Sequence, residues 1–295
     1  APLPRPALRE GARVSVVIPT RDRVDLLRAC LDGLRQRTAG VDLEIVVVDN
    51  GSVEPATLAY FEDLRSDPRI RVLPAPGPFN FAALVDLGVA ATGAELVLLL
   101  NNDIEPIEPH WLQAMAAELD RPEVGVVGAR LLFPDGTVQH GGVVLGAGTV
   151  ARHAFHFWRL DDGEDLGTLS FRREMSAVTA ACLLTRRATW DAVGGMDARG
   201  LPVAFNDVDY CLKVGRLGQK IVFNPQATLI HRESVSRGND DTPEKKRRFA
   251  GEEALMIERW GEMIAADPYC NPNLSRTGEA FVLTLSGAST PRRSQ

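Results

Sequence analysis

Short apolar runs alternate with amphipathic stretches over the first hundred residues of the chain. Residues 14–18 (VSVVI) form a β-branched run that Pro19 ends, a pattern typical of a buried strand. Residues 22–37 then carry apolar side chains at helical spacing. The alternation continues with strands predicted at 44–48, 70–73 and 96–100 and helices at 57–65 and 80–91. It predicts an α/β fold with a mostly parallel, doubly wound sheet and helices on both faces.

The pattern changes after Asp120, where strands and helices no longer alternate regularly. Strands are predicted at 124–132, 142–145 and 180–185, and helices at 110–120, 187–193, 208–215 and 244–260. We see no internal repeat. The simplest organisation is a linker stub over 1–13, one domain over 14–240 with a mixed back half, and a C-terminal helix and tail over 241–295 that pack on the domain.

Polar residues stand at the ends of the front-half strands. In a parallel sheet of this kind, ligands bind at the carboxyl ends of the strands. One rim is therefore expected to hold Pro19, Thr20, Arg21, Asp49, Asn102 and Asp103. Turn formation would also explain Asp and Asn at these places. Asp103, in the stretch LLLNNDIEP (98–106), offers in addition the hard carboxylate oxygen that Mg²⁺ or Mn²⁺ prefers.

Two further candidates lie in the back half, Asp207 in FNDVDYC (205–211) and His231 in LIHRES (229–234). Asp207 stands where the predicted helix begins, so it is either an N-cap or a carboxylate that the surrounding apolar bulk keeps basic. Asp209 is two residues away and is expected on a different face of that helix. A lone histidine such as His231 is more often structural than a ligand.

The other histidines give weaker signals. His140, in QHGG, either touches a ligand from a glycine-flexible loop or belongs to a turn. His153 and His156 are expected to pack rather than to bind a ligand.

Composition narrows the class of protein. The chain has 295 residues, 45% apolar and 24% charged, as expected for a globular protein with a sizeable core. A net charge of −6 without a long basic block argues against a nucleic-acid partner. Four well-separated cysteines without a CxxC pair indicate reduced thiols. The chain shows no signal-peptide pattern and no membrane span, and its start at Ala1 with Pro-rich APLPRPAL suggests a module of a longer protein.

Nine motifs follow one another along the chain. They are VSVVIPTRDR (14–23), VVVDNGS (46–52), FNFAALVDLG (79–88), LLLNNDIEP (98–106), VGVVGARLLFPDGTVQHGGVVLG (124–146), AVTAACLLTRR (177–187), VGGMD (193–197), AFNDVDYCLK (204–213) and LIHRESVSRG (229–238). In this order they resemble the family 2 glycosyltransferases over roughly residues 14–272. The NNDIEP and QHGG versions are similar to those of bacterial polysaccharide and O-antigen transferases, rhamnosyltransferases among them.

The resemblance implies a GT-A fold with a Rossmann-like sheet. It also implies a metal-dependent hexosyltransferase that moves a sugar from a UDP- or dTDP-linked donor to a hydroxyl of a saccharide or lipid-linked acceptor, by a single inverting displacement. The protein is expected in the cytoplasm. Because acceptors in this family are often lipid-linked, it could also bind peripherally to the inner face of the plasma membrane. Other modules of a longer transferase chain would be further partners.

The site residues implied by the resemblance fall into three groups. Asp207 would be the general base, and Asp103 and His231 would bind Mn²⁺ or Mg²⁺. Thr20 and Asp49 would contact the base and ribose of the nucleotide. The nucleotide-sugar site as a whole would comprise Pro19, Thr20, Arg21, Asp49, Asn80, Asn102 and Asp103.

Three residues depart from the family pattern. Asn101 replaces the first acid of the DxD metal motif, Asn206 replaces the Glu of the ED motif, and Asp86 stands where relatives usually have Asn. Asn101 and Asp86 keep a second hypothesis open, a non-catalytic module that binds nucleotide sugars. The other alternative is a sugar-phosphate nucleotidyltransferase, which has a similar nucleotide half and metal chemistry. It typically needs a glycine-rich phosphate loop with a Lys or Arg after the first strand, where this chain has PTRDRVDL without a glycine. A receiver domain is disfavoured by the length and the back-half motifs. Specificity is expected in the loops at 136–159 and 161–176.

Overall fold

The computed structural model describes residues 12–160, 168–232, 242–271 and 273. Its strands are β1 (Arg13–Thr20), β2 (Asp42–Asp49), β3 (Ile70–Pro74), β4 (Leu96–Leu100), β5 (Ile104–Pro106), β6 (Val124–Leu132), β7 (Val138–His140), β8 (Val143–Leu145), β9 (Ala151–His153), β10 (Arg173–Met175), β11 (Cys182–Arg186) and β12 (Lys220–His231). Its helices are α1 (Val24–Gln36), α2 (Pro55–Leu64), α3 (Phe81–Ala90), α4 (Trp111–Glu118), α5 (Arg187–Val193), α6 (Asn206–Arg216) and α7 (Pro243–Ala265), with a 3₁₀ turn at Thr168–Ser170.

One large sheet runs through the molecule in the order β10-β12-β6-β11-β4-β1-β2-β3, with β5 paired to β12 and β7 to β6. The front-half strands β1 to β4 are all parallel where they pair. In the back half, β11 runs antiparallel between β4 and β6, whereas β12 is parallel to β6. The strands β8 and β9 form a separate hairpin. The predicted fold class is confirmed, with a parallel front half and a mixed back half.

Helices pack on both faces of the sheet and form two hydrophobic cores with the buried side chains of the strands. Val16 and Ile18 of β1 belong to a core that includes α1, α2 and α4. Their neighbour Val17 belongs to a second core, which includes α3, α6 and Trp260 of α7. Successive strand residues point to opposite faces. Because helices cover both faces, the strands are continuous apolar runs rather than alternating ones.

The strand β12 was not predicted from the apolar pattern. Its 12 residues contain Asn224 and Pro225, which are unusual inside a strand. The register between β12 and β6 shifts between Asn224 and Thr228, so Pro225 lies at an irregularity of the ladder. This irregularity lets one strand continue to His231, where a sequence pattern alone indicates a break.

The structure describes only part of the predicted linker (1–13) and of the predicted C-terminal helix and tail (241–295). Arg13, the last residue of the linker predicted over 1–13, is the first residue of β1, and residues 1–11 lie outside the described residues. Residues 274–295 of the predicted tail lie outside them too. The helix α7 packs Met256 and Trp260 into the second core. Within the described ranges, no helix has the length and apolar character needed to cross a bilayer.

Gly88 is expected to be required by the contact between α3 and the sheet. A Cβ at this position would lie 2.3 Å from Val17 and 2.9 Å from Val48. Gly88→Ala should therefore lower the free energy of unfolding by about 1–3 kcal/mol, because overpacking outweighs the better helix propensity of alanine. Gly251→Ala in α7, where a Cβ meets no atom within 4 Å, should stabilise by up to about 1 kcal/mol. Urea unfolding of both variants checks this, and equal midpoints would contradict it.

Candidate active site

Asp103 and His231 meet because the chain reverses after β4 and returns along β12. The short strand β5 pairs antiparallel with the end of β12, which places Ile104 opposite His231. The backbone N–H of Arg232 also donates to the Asp103 carbonyl at 3.0 Å. As a result, Nε2 of His231 lies 3.3 Å from Oδ1 of Asp103, and the two side chains are only 6% and 3% exposed.

This pair fits a divalent cation. Carboxylate oxygen is the donor that Mg²⁺ and Mn²⁺ prefer, and imidazole nitrogen is a common further ligand of transition metals. Nδ1 of His231 is buried and has no hydrogen-bond partner in the described part of the chain. Such an atom is uncommon in a folded protein and suits a group that pairs with an incoming ligand. Two protein ligands suit a cation that is also coordinated by substrate phosphates and water.

Asp207 lies in the first turn of α6 rather than at its N-cap. The helix begins at Asn206, and the cap position is taken by Phe205 in a left-handed conformation with φ 58°. The expectation that Asp207 is an N-cap is therefore wrong, because the helix starts one residue before it. Its Oδ2 accepts from the backbone N–H of Ala180 at 3.0 Å, and its Oδ1 accepts from that of Val208 at 2.9 Å. Two backbone donors hold the half-buried carboxylate in place.

Asp209 points elsewhere, as its spacing from Asp207 predicts. It is 1% exposed and accepts a hydrogen bond from Nε1 of Trp260 at 2.9 Å. Arg259 and Lys213 approach it at 3.3 and 3.4 Å. This acid therefore ties α7 to α6, while its neighbour stays at the pocket.

A cavity of about 210 Å³ brings the three principal candidates together. Asp103, His231 and Asp207 all line it, although they come from β4–β5, β12 and α6. Asn101 also lines it, at the place of the missing acid. Further lining residues are Phe81, Gln139, Arg152, His153, Thr179 and Phe205. A candidate metal-binding pair and a candidate base thus share one pocket at the carboxyl edge of the sheet, where a parallel fold binds its ligands.

Apart from Asp103, the predicted nucleotide-sugar residues do not line this pocket, and those at the ends of β1, β2 and β4 lie along the same edge of the sheet. Oγ1 of Thr20 accepts from Nδ2 of Asn102 at 2.9 Å, which joins the tips of β1 and β4. Asp49 accepts from the backbone N–H and the hydroxyl of Ser52, at 2.8 and 2.6 Å. Arg21 is exposed beside them and follows Pro19 at the end of β1.

Asn80 has structural contacts on both sides of its amide. Its Oδ1 accepts from the backbone N–H of Ala83 and caps α3, and its Nδ2 donates to the Ala198 carbonyl at 2.8 Å. Its predicted contact with the nucleotide sugar stays a prediction, and capping is the role that the geometry gives it.

A larger cavity of about 750 Å³ lies at the opposite edge of the sheet. Arg13, Glu95 and Leu96, at the amino ends of β1 and β4, help to line it. Neither this edge nor these residues carry any of the predicted site. We place the active site in the smaller pocket, because the acids and histidines converge there and not in the larger cavity.

Comparison with known proteins identifies the family. Residues 15–190, more than half of the chain, match the model of glycosyl transferase family 2. The chain belongs to glycosyl transferase family 2. The family predicted from the nine motifs is thereby confirmed.

Three sequence relatives of this family 2 glycosyltransferase are bacterial proteins. It is 47% identical to the protein y4gI of Sinorhizobium fredii over 92% of the chain and 30% of that protein. It is 38% identical to the O-antigen biosynthesis protein RfbC of Myxococcus xanthus over 92% of the chain and 21% of RfbC. It is 24% identical to the N-acetylglucosaminyl-diphospho-decaprenol L-rhamnosyltransferase of Mycobacterium tuberculosis over 67% of the chain and 69% of that enzyme. The chain spans less than a third of the first two relatives.

Solved structures with the same fold are glycosyltransferases. The mannosyltransferase PcManGT from Pyrobaculum calidifontis, in complex with GDP-Man and Mn²⁺, aligns with a TM-score of 0.62 over 91% of this chain and 72% of its own, at 15% identity. GalNAc-T7 with UDP, GalNAc and Mn²⁺ aligns with a TM-score of 0.66 over 88% of this chain and 53% of its own, also at 15% identity. At this identity the likeness shows the GT-A fold alone.

The glycosyltransferase pocket contains residues that sequence reasoning did not select. His153 lines it, although packing was the expected role, and so does Gln139 beside His140. The QHGG motif was the sequence feature that could have pointed to Gln139 as a pocket residue. The turn after β1 was also missed: Asp22 and Arg23 have φ of 53° and 54°, and Oδ1 of Asp22 accepts from the backbone N–H groups of Val53 and Glu54.

Asp86 has a structural partner. Its Oδ1 accepts from the backbone N–H of Met196 at 3.0 Å and so ties α3 to the VGGMD turn. Burial of the carboxyl raises the pKa of Asp86 above its usual value of 3.8. The negative charge is thus placed where the protein disfavours it.

Asp86→Asn is expected to stabilise the protein at pH 7. A carboxyl group with a raised pKa in the folded state loses stability as pH rises from 3.8 through that raised pKa, and the loss remains at neutral pH. Asparagine can keep the bond to Met196 without the charge. The Tm should therefore rise at pH 7, and the gain should vanish below pH 3.8.

Asp135→Asn is the control of opposite sign. Hydrogen bonds from Thr137 lower the pKa of Asp135, so its charge stabilises the folded state at pH 7. Thermal melts of both variants across pH test the prediction, which is wrong if Asp86→Asn lowers the Tm at pH 7.

Proposed function

We propose that this family 2 glycosyltransferase moves a sugar from a UDP- or dTDP-linked donor to a hydroxyl of a saccharide or lipid-linked acceptor, with inversion at the anomeric carbon. The observation that carries the proposal is the single pocket lined by Asp103, His231 and Asp207. The similarity to an O-antigen biosynthesis protein and to a rhamnosyltransferase supports a role in cell-surface polysaccharide synthesis. Because the chain spans only part of the longer relatives, other modules of such a chain belong to the proposal as partners.

Asp103 and His231 are the proposed metal-binding residues. A divalent cation, Mn²⁺ or Mg²⁺, would offset there the negative charge that develops on the leaving nucleoside diphosphate. Two structures of the same fold, PcManGT and GalNAc-T7, were solved with Mn²⁺, which supports the choice. Asn101 supplies a neutral amide where a second acid would stand, so the protein contributes little negative charge of its own and the donor diphosphate is expected to strengthen cation binding.

Asp207 is the proposed general base. Its carboxylate would take the proton of the acceptor hydroxyl as that oxygen attacks the anomeric carbon, while the bond from this carbon to the diphosphate oxygen breaks. The two backbone N–H groups that bind the carboxylate hold it at the pocket. Among the described residues, the other acid that lines the pocket is Asp103, which is paired with His231. One base, with no second carboxylate in this described lining to act as nucleophile, favours a single displacement with inversion.

The rim of the sheet is the proposed binding place of the nucleotide. Thr20 and Asp49 would contact the base and ribose, and Asn102 donates a hydrogen bond to Thr20. This hydrogen bond joins the ends of β1 and β4, so the two strand ends can contact the nucleotide together.

The proposed function is tested with a panel of nucleotide sugars, Mn²⁺ and saccharide acceptors, by measuring released nucleoside diphosphate. Transfer with one donor supports the proposal. Pyrophosphate release from a nucleoside triphosphate would instead indicate a nucleotidyltransferase, and donor binding without turnover on any acceptor would indicate a binding module.

Asp207→Asn is expected to lower kcat by about 10²–10⁴-fold, because an amide cannot accept the acceptor proton. Donor binding, measured by calorimetry, should stay within about twofold, since the carboxylate does not hold the nucleotide. Asp191→Asn, which changes an exposed acid on α5, should leave both quantities unchanged. Near-normal turnover of Asp207→Asn would contradict the assignment of the base.

Asp103→Asn is expected to weaken Mn²⁺ binding in the presence of nucleoside diphosphate by at least about tenfold, because partners outside the ligand set already cost that much. Glu105→Gln is the matched control: Glu105 lies on the adjacent strand β5 and pairs with Arg232 outside the pocket. Manganese titration followed by electron paramagnetic resonance measures both variants. Equal Mn²⁺ affinities of the two variants would remove Asp103 from the metal site.

A further inference from the structure

Thr179 is the one polar residue in the segment AVTAA (177–181), which precedes β11. The last three residues of this segment line the pocket. Thr179 is only 9% exposed, and neither the proposed metal site nor the proposed base uses it. A buried hydroxyl in an apolar segment is costly unless it forms hydrogen bonds, so its contacts indicate its role.

Backbone hydrogen bonds fix both ends of the segment. The Ala177 carbonyl accepts from the backbone N–H of Val143 at 2.9 Å, and the Ala181 carbonyl accepts from that of Asn101 at 3.0 Å. Val178, between them, is fully buried. The segment is therefore a rigid part of the pocket wall, as a residue that positions a substrate requires.

The middle of the segment is held by two side chains. The backbone N–H of Thr179 donates to Nε2 of His140 at 3.4 Å, and that of Ala180 donates to Oδ2 of Asp207 at 3.0 Å. His140 is fully buried at the end of β7, and its Nδ1 lies 2.9 Å from Nδ1 of His153. Thr179 is thus fixed beside the residue that holds the proposed base.

The hydroxyl of Thr179 has an unused proton in the described part of the chain. Its Oγ1 accepts from the backbone N–H of Ala181 at 3.3 Å, and no described residue accepts the hydroxyl proton. A threonine hydroxyl can donate one hydrogen bond besides those it accepts, and it rotates to suit its partner. A buried donor without an acceptor costs stability, so this proton suits a molecule that enters the pocket.

The neighbour of Thr179 indicates which substrate it faces. Asp207, which Ala180 binds, must reach the attacking hydroxyl of the acceptor if it is the base. The leaving diphosphate lies on the other side of the anomeric carbon, where Asp103 and His231 would bind the cation. The acceptor is therefore the substrate next to Thr179.

We infer that Thr179 binds the acceptor saccharide, by donating a hydrogen bond from its hydroxyl to an acceptor oxygen other than the one that attacks. The inference rests on the proposed function and adds to it a residue that selects and orients the acceptor. Thr179 takes no part in the proton transfer. It holds the saccharide so that one of its hydroxyls faces Asp207.

Two substitutions separate the hydroxyl of Thr179 from its shape. Thr179→Val keeps the shape and removes the hydroxyl, whereas Thr179→Ser keeps the hydroxyl. With nucleotide sugar and the methyl glycosides of N-acetylglucosamine, rhamnose, mannose and galactose as acceptors, Thr179→Val should lower the kcat/KM of the acceptor by about tenfold, as loss of one hydrogen bond does. The KM of the nucleotide sugar should stay within about twofold, and Thr179→Ser should retain the acceptor kcat/KM within about threefold.

Thr189→Val is the matched control, because it makes the same chemical change at another buried threonine. The hydroxyl of Thr189, on α5, donates to Gln219 at 3.0 Å, and both residues line the larger cavity at the opposite edge of the sheet. This variant should keep the wild-type kcat/KM for the acceptor.

Acceptors that lack one hydroxyl test the contact itself. Deoxy analogues of the acceptor, each with one hydroxyl replaced by hydrogen, are assayed with the wild type and with Thr179→Val. One analogue should lower kcat/KM about tenfold in the wild type and less than about threefold in Thr179→Val, because the same bond cannot be lost twice. A purely structural role, through the bond to Ala181, would make every analogue equally poor for both proteins, and that result would overturn the inference.

Failure of the proposed function gives a different result. A wild type that transfers sugar from no nucleotide sugar would overturn the proposed function. Binding of the same methyl glycosides, measured by saturation-transfer NMR with nucleoside diphosphate and Mn²⁺ present, would still decide the role of Thr179. Thr179→Val should weaken this binding by about tenfold relative to Thr189→Val. Equal affinities, or no binding to the wild type, would overturn the inference.

Discussion

The antiparallel pairing of β5 with the end of β12 is the constraint on which the candidate active site depends. It reverses the chain after β4 and places the carboxylate of Asp103 against the imidazole of His231. Both side chains are almost fully buried. The backbone hydrogen bonds between β5 and β12 therefore hold two polar groups together away from water. Loss of either partner would leave a buried polar group without its neighbour, which is costly.

Asp207 and Asp209 are two residues apart and have different surroundings: Asp207 lines the pocket, and Asp209 is buried. Asp209 is buried against Trp260 and Arg259 and joins α7 to α6. Glu252 of α7 accepts from the backbone N–H of Val203, in the loop that leads to α6. The helix α7 therefore contacts both α6 and the loop before it, and so stabilises the segment that carries Asp207. A carboxylate that acts on substrate must stay accessible, and the buried contacts of its neighbours hold it in position.

Several polar residues of the sequence motifs have roles that depend on their partners. Asn80 and Asp86 both stand in the motif FNFAALVDLG, yet one caps a helix and the other holds the VGGMD turn. The pair of His140 and His153 arises from two strands of different sheets. In each case the residue type permits several roles, and the neighbouring backbone donors and acceptors select one of them.

The sequence by itself determined the parallel front half, because β1, β2 and β4 are β-branched or leucine-rich runs buried on both faces. It also determined the family, since nine motifs in order carry that information, and it singled out Asp103, Asp207 and His231. Only the tertiary structure decided that these three line one pocket and that α6 begins before Asp207. It likewise decided that β12 continues past Pro225 and that His140 bonds to His153. These features depend on hydrogen bonds and register shifts between segments far apart in the chain, and local hydrophobic patterns contain no information about such contacts.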